Sequence, residues 1–277
     1  MVITPDWPAP ARVRCAFTLR SGGVSVGPYD SLNVGAHVGD VAEAVAENRR
    51  RVRKYLRLHG DPVWLQQVHG TDVVDLDELE GNGGASSRHV EAGSDALGLP
   101  SDGRAAAGDE VVVSAAGALR ADAVVTRMGG QVCVIQVADC MPVLFAARDG
   151  FAVGAAHAGW RGLAGGVLEH TVRALGVPAG DLIAWLGPTI SQEHFEVGDD
   201  VRTAFVSGDA GAGRAFVTNT RGRWQCDLYA LARRRLAAVG VRDVFGGGWC
   251  TYADAARFFS FRRDGQCGRM AALIWLE

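Results

Sequence analysis

Residues 138–161 constrain this chain more than any other stretch. Ala138-Asp139-Cys140-Met141-Pro142 leads into an apolar run, then Asp149-Gly150, then a second apolar run ending Ala155-Ala156-His157-Ala158-Gly159-Trp160-Arg161. Asp-Gly between two strand-like runs is the strongest short-range signal for a hairpin with a two-residue turn. Pairing Arg148 with Phe151 sets Pro142 opposite His157 and Cys140 opposite Gly159. Side chains alternate faces along a strand, so Cys140 and His157 emerge on one face as diagonal neighbours, within roughly 7–8 Å. At that separation a thiol and an imidazole can share a metal ion or act as nucleophile and base.

The rest of the chain supplies a frame for that hairpin. Strands are predicted over 13–20, 63–68, 121–126, 131–137 and 182–186, with 73–76 as a possible continuation of the second. A helix is predicted over 41–57, where Val41, Val45, Asn48, Val52 and Leu56 recur at helical spacing. A second opens at Gly159-Trp160-Arg161-Gly162 and is closed by Gly176 and Pro178. A third spans 227–239. Phe258–Arg262, the turn Asp264-Gly265 and Met270–Leu276 read as a closing hairpin. From Glu80 to Gly117 the pattern dissolves into Gly, Ala, Ser and Asp, with Val111–Ser114 as its one candidate strand. That stretch is expected to be a flexible insertion. Hairpins interspersed with helices point to one domain, 1–277, of mixed or antiparallel sheets with helices outside, not to a doubly wound parallel sheet.

Composition excludes several classes of function. A net charge of −3 over 277 residues offers no general attraction to nucleic acid or membrane. No run of about eighteen apolar residues is present to span a bilayer. Met1–Arg14 carries Pro5, Pro8 and Pro10 and has no apolar signal-peptide core, so the protein is expected in the cytoplasm. The six cysteines form no C-x-x-C pair and are expected as free thiols.

Among the seven histidines, His59, His89, His170 and His194 fall in polar or helical contexts and read as surface residues. His37 follows an Asn-Val-Gly-Ala turn and receives no role. His69 ends an apolar run and precedes Gly70, which permits close backbone approach. With Cys140 and His157 it completes two imidazoles and a thiolate. Zinc takes such N and S donors tetrahedrally, and three protein ligands leave one position open for catalysis. Arg161 in the first turn of the following helix adds a candidate anion site. From these residues alone, metal-assisted and Cys–His enzymes both remain open.

Taken in order, the motifs resemble the YfiH-like family, also called the laccase-domain or polyphenol oxidase family. They run from Thr18-Leu19-Arg20-Ser21-Gly22-Gly23-Val24-Ser25, Tyr29-Asp30-Ser31-Leu32-Asn33-Val34-Gly35, Val38-Gly39-Asp40 and Asn48-Arg49 through Gln66-Gln67-Val68-His69-Gly70 and Ala121-Asp122-Ala123. The Cys140 and His157 segments follow, then Leu186-Gly187-Pro188, Phe195-Glu196-Val197-Gly198, Asp227-Leu228, Cys250-Thr251 and Phe259-Ser260-Phe261-Arg262-Arg263. The resemblance implies a four-layer α/β/β/α fold with mixed sheets and a zinc site of His69, Cys140 and His157. It implies phosphorolysis of adenosine, inosine, guanosine and methylthioadenosine, with phosphate as co-substrate, and deamination of adenosine. Arg161, Arg49 and Arg20 are then candidates for holding phosphate, and Arg20, Asn33, Arg49 and Gln67 for contacting substrate. Thr189-Ile190-Ser191 departs from the family's usual Cys-Ile-Gly. Purine nucleosides and phosphate are the expected partners, with the chain a monomer or homodimer.

Three competing readings stand beside this one. A copper-dependent laccase also uses a His₂Cys site, but it needs a further cluster of paired histidines, and the chain has no His-x-His. A Cys–His hydrolase or deamidase would use Cys140 as nucleophile and His157 as base. A zinc or nucleoside-binding module would bind without turnover. The nucleobase-deaminase signature of H-x-E with P-C-x-x-C is absent, so deamination would rest on a different scaffold.

Overall fold

Strands form where β-branched and apolar residues run together, and helices where apolar residues recur every three to four positions. The computed structural model describes residues 1–81 and 119–277. In chain order the elements are β1 (Val2–Ile3), β2 (Val13–Thr18), α1 (Ala42–Leu56), β3 (Val73–Asp75), α2 (Leu76–Gly81), β4 (Ala123–Thr126) and β5 (Val132–Val137). The hairpin β6 (Met141–Ala147) and β7 (Val153–Ala158) follows, then α3 (Trp160–Gly165), α4 (Val167–Ala174) and β8 (Leu182–Leu186). The chain closes with β9 (Glu196–Val197), α5 (Asp199–Val206), β10 (Phe216–Thr218), β11 (Trp224–Cys226), α6 (Leu228–Ala238), β12 (Asp243–Gly246), α7 (Phe261–Asp264) and β13 (Met270–Leu276).

Two sheets carry the architecture. One is four-stranded and antiparallel in the order β1-β2-β13-β5; the other is six-stranded and mixed, β12-β8-β6-β7-β4-β3, parallel only at its two edges. A small antiparallel sheet, β10-β11-β9, lies apart. Alternation along the strands divides the apolar residues into three cores. Cys133, Ile135 and Val137 of β5, Leu144 and Ala146 of β6, and Ala272 and Ile274 of β13 meet between the two sheets. Val143 and Phe145 of β6 and Ala156 of β7 face the other way, onto Leu163 of α3, Leu168 of α4 and Leu231 of α6. Val132 and Val134 of β5 with Leu273 of β13 face outward onto Val52 of α1. The layers are therefore helix, sheet, sheet, helix, the α/β/β/α order that the family resemblance implies. No helix among the described residues is long and apolar enough to cross a membrane.

The hairpin register is the one its turn dictates: Pro142 pairs with His157 and Met141 with Ala158. The turn itself is longer than two residues. The Gly150 N–H bonds the Ala147 carbonyl, and that of Ala147 bonds Ala152, which leaves Gly150 at φ +77°. That left-handed value is what glycine supplies without strain.

Three sequence expectations are corrected. Residues 63–68 form no strand; their ladder pairing is limited to the isolated bridges Val63↔Cys133 and Gln66↔Arg120. The closing hairpin does not form. Ser260 caps α7 by accepting from the Arg263 N–H, while β13 inserts between β2 and β5 instead of pairing with 258–262. Burial of every residue of β13 in two cores outweighs the local turn signal of Asp264-Gly265. The helix expected from Gly159 to Leu175 is broken at Gly166, φ +104°, into α3 and α4. The expected insertion at 80–117, its candidate strand at 111–114 and His89 fall almost wholly outside the described residues. All six cysteines are free thiols.

Candidate active site

Three side chains from separate parts of the chain converge at one end of the intersheet layer. His157 is carried by β7, Cys140 stands one residue before β6, and His69 sits in the loop before β3. Their candidate ligand atoms all lie within 4.8 Å of one another, the one such group among the described residues. Cys140 Sγ is 3.8 Å from His69 Nε2, and the two imidazole rings stand edge to face at 4.8 Å.

Asp122 holds two of the three in place. Its Oδ1 lies 2.8 Å from His157 Nδ1 and accepts the His69 N–H at 2.9 Å. Its Oδ2 accepts the N–H groups of Val68 at 3.1 Å and Gly70 at 2.7 Å. One fully buried carboxylate thus closes the 68–70 loop, where His69 adopts a left-handed φ of +61°. It also fixes a proton on His157 Nδ1 and leaves Nε2 free to coordinate, the outer-shell arrangement of metal-binding histidines. Gly159 is required for the convergence, because a Cβ there would lie 2.8 Å from Cys140 Sγ and 3.1 Å from His69 Cδ2.

The electrostatics of the donor set favour a cation. Burial alone would push the Cys140 thiol up, but the charges and hydrogen bonds of His157 and His69 bring it down to about 6. Burial would lower His157, yet the Cys140 thiolate and Asp122 raise it. The contrast with Cys133 and Cys226 is clear: burial with no imidazole nearby pushes both thiols far up. Two imidazole nitrogens and one thiolate at this spacing fit zinc, whose structural preference is for N and S donors with room for a fourth ligand.

The group opens into a cavity of about 370 Å³. Trp160, Ile190, Phe195, Leu228 and Phe261 make its apolar walls, and His37, Gln67, Gln136, Arg262 and Arg269 line it on the polar side. Its one acidic residue is Asp139, whose carboxylate is engaged by the Thr251 hydroxyl and the Arg262 N–H. Asp139 therefore positions the α7 turn.

The other sequence-level candidates distribute differently. Gln67 lines the cavity, but its amide completes the edge of β5, donating to the Gln136 carbonyl and accepting the Gln136 N–H. Arg20 lies outside the lining, bonded to the carbonyls of Asp30 and Ala255 and stacked on Phe259. Asn33 is buried in bonds to Gly35, Asp40 and Arg269. Arg49 bonds the Val34 carbonyl and lies 3.9 Å over the Trp64 ring, also away from the cavity. Arg161 lines the cavity with its guanidinium 4.5 Å over Trp160. However, α3 spans only six residues, which gives little macrodipole to support an anion there.

His194 is no free surface residue: it stacks on Tyr252 at 4.6 Å and lies within hydrogen-bonding reach of Ser191 and Cys250. Asp122, His37, Arg262 and Arg269 were not singled out in the sequence. Asp122 and Arg262 lie inside the motifs Ala121-Asp122-Ala123 and Phe-Ser-Phe-Arg-Arg, and that membership was the available signal.

Comparison with known proteins places this architecture in a family. Residues 14–277 match the family model described as multi-copper polyphenol oxidoreductase laccase. A protein of Pseudomonas aeruginosa named purine nucleoside phosphorylase is 50% identical over 276 residues, covering 99% of this chain and 98% of its own. Purine nucleoside phosphorylase YfiH of Escherichia coli is 45% identical over 275 residues, covering 99% and 98%. The crystal structure of Neisseria meningitidis protein NMB0706 superposes with a TM-score of 0.84 at 44% identity, covering 100% of this chain and 99% of that one. That of YlmD from Geobacillus stearothermophilus gives 0.79 at 30% identity, covering 98% and 94%. With its four layers, its motifs and its match over nearly the whole length, the chain belongs to the laccase-domain, YfiH-like family.

Proposed function

We propose that this chain is a zinc-dependent purine nucleoside phosphorylase acting on adenosine, inosine, guanosine and methylthioadenosine, with a second activity as an adenosine deaminase. The observation that carries the reading is the His69–Cys140–His157 group at the base of a cavity with aromatic walls and arginines. The names of the Pseudomonas and Escherichia relatives support it. When bound, zinc supplies Lewis acidity next to the substrate.

The chain's own residues supply the rest. Cys140, His69 and His157 hold the metal, and Asp122 keeps the His157 proton on Nδ1. Trp160, Phe195 and Phe261 offer aromatic surface on which a purine can stack. Phosphate bound beside the ribose attacks C1′ as the bond from C1′ to N9 breaks. The electron pair passes to N9, which takes up a proton, and the products are the free base and ribose 1-phosphate, or 5-methylthioribose 1-phosphate from methylthioadenosine. Deamination consumes water and releases ammonia, converting adenosine to inosine.

Incubation with a panel of purine nucleosides, with and without phosphate, tests the reading. Free base and the matching sugar 1-phosphate should appear only with phosphate, and inosine from adenosine without it. Unchanged nucleosides under all conditions would remove it. The lowered Cys140 thiol beside a raised His157 favours one second reading, a Cys–His hydrolase. That reading requires activity to survive chelation and to vanish on alkylation.

The laccase chemistry in the family's description finds less support. It needs several metal sites, and the described residues offer one group of ligands.

A further inference from the structure

The three arginines of the cavity are not equivalent. Arg262 donates from Nη1 to the Glu196 carbonyl at 2.9 Å, and its guanidinium lies 5.2 Å over the Phe195 ring. Arg269 donates from Nη1 to the carbonyls of Cys267 at 3.0 Å and Gly268 at 3.1 Å. Each is anchored through one nitrogen, and among the described residues the Nε–Nη2 edge of each has no partner. That edge is the planar fork that binds phosphate or carboxylate bidentately. Arg161, by contrast, is held only by stacking on Trp160.

The surroundings of the two forks favour an anion. Neither guanidinium is paired with a carboxylate, whereas eleven other arginines of the described residues are. The sole acidic lining residue, Asp139, is already engaged. His37 shares the lining, and burial together with the charges of Arg269 and Arg49 keeps its imidazole below the ordinary value. Gly35 lets the chain pass close to the stem of Arg269: a Cβ there would lie 2.7 Å from Arg269 Cγ.

We propose that Arg262 and Arg269, with His37 beside them, form the subsite for the phosphate co-substrate, and that Arg161 does not. The assignment rests on the phosphorylase reading for the identity of the anion.

Calorimetric titration of the metal-loaded protein with inorganic phosphate, without nucleoside, tests the assignment. Arg262→Met and Arg269→Met should each weaken phosphate binding tenfold or more, with metal content unchanged. Arg161→Met should change it less than threefold. Should Arg269→Met fail to fold for want of its carbonyl contacts, exposed Arg262→Met decides alone. Phosphate affinity unchanged in Arg262→Met, or lost only in Arg161→Met, overturns the assignment. The two proposals fail separately. If nucleosides are cleaved with Arg262 and Arg269 replaced and phosphate affinity unaltered, the subsite is wrong and the activity stands. If no nucleoside is cleaved yet both variants lose phosphate, the subsite stands and the activity is wrong.

Discussion

The site depends on single residues that no ligand list would name. Gly159 and Asp122 are the sharpest cases. Adding one methyl at Gly159 drives a carbon to 2.8 Å from Cys140 Sγ, so Gly159→Ala should lower metal stoichiometry well below the wild-type value while thermal unfolding moves little. Metal analysis beside a melting curve checks it; full occupancy would show that the loop gives way. Asp122→Asn keeps the shape but loses the carboxylate shared by His157 and three backbone N–H groups. Replacing such a partner costs about 10–100-fold in metal affinity, measurable by competition with a chromophoric chelator. Asp122→Ala should cost more, because the N–H groups of residues 68–70 then lose their shared acceptor.

A third expectation concerns charge. In the metal-stripped protein Cys140 is thiolate above about pH 6, so its alkylation rate should rise through pH 6 and level off by pH 8. An ordinary thiol titrates near 8.5, and a midpoint there would show that the imidazoles do not stabilise the thiolate. Cys133 and Cys226, pushed up by burial, should stay unmodified throughout.

At the scale of elements, legibility in the sequence followed how local the determinants are. Strands β4 to β8 and helices α1 and α6 were readable because periodicity and punctuation lie within each segment. The β6–β7 register was readable because an Asp-Gly turn and face alternation together allow only one pairing that buries the apolar residues. The site inherited that legibility: Cys140 and His157 come from the hairpin, and His69 from its position before Gly70. What was not readable depends on distant partners. Residues 63–68 look like a strand but find only isolated bridges, because β3 takes the edge beside β4. Met270–Leu276 was assigned to a local hairpin, yet it lies between β2, some 250 residues earlier in the chain, and β5. The cationic wall was invisible for the same reason, since Arg262, Arg269 and His37 meet only after β13 is inserted. The turn offers a test at this scale. Gly150→Ala forces an alanine to φ +77° and its Cβ to 3.0 Å from Arg12 Cγ. It should cost roughly 1 kcal/mol of stability, yet leave metal content intact because β4 and β8 hold the hairpin from both sides. Loss of metal in that variant would mean that the turn alone sets the register.

For the molecule as a whole, two of the three cores among the described residues join segments that lie on either side of residues 82–118 in the chain. The intersheet core joins Leu65, Val74 and Leu76 from before residue 82 to Ala121, Val124 and Ile135 from after residue 118. The core beneath α1 likewise joins Leu32, Val34 and Val52 to Val132, Ala271 and Leu273. The stretch between is rich in Gly, Ala, Ser and Asp with no sustained apolar period, a composition that buries little apolar surface, so stability and metal binding should not require it. Closing a loop costs only about 0.6 kcal/mol for each doubling of its length, so shortening the connection is thermodynamically mild. Replacing residues 83–108 with a short Gly-Ser linker should give soluble protein with an unfolding midpoint within a few degrees of the parent and undiminished metal content. Nucleoside KM is the one parameter free to move, since the connection leaves the chain eleven to fourteen residues after His69 and returns just ahead of Asp122. Insoluble protein would show that the replaced stretch contributes to the fold. Soluble, metal-loaded protein without turnover would make it part of the catalytic apparatus, and a solubility and stability measurement beside a metal assay separates the two outcomes.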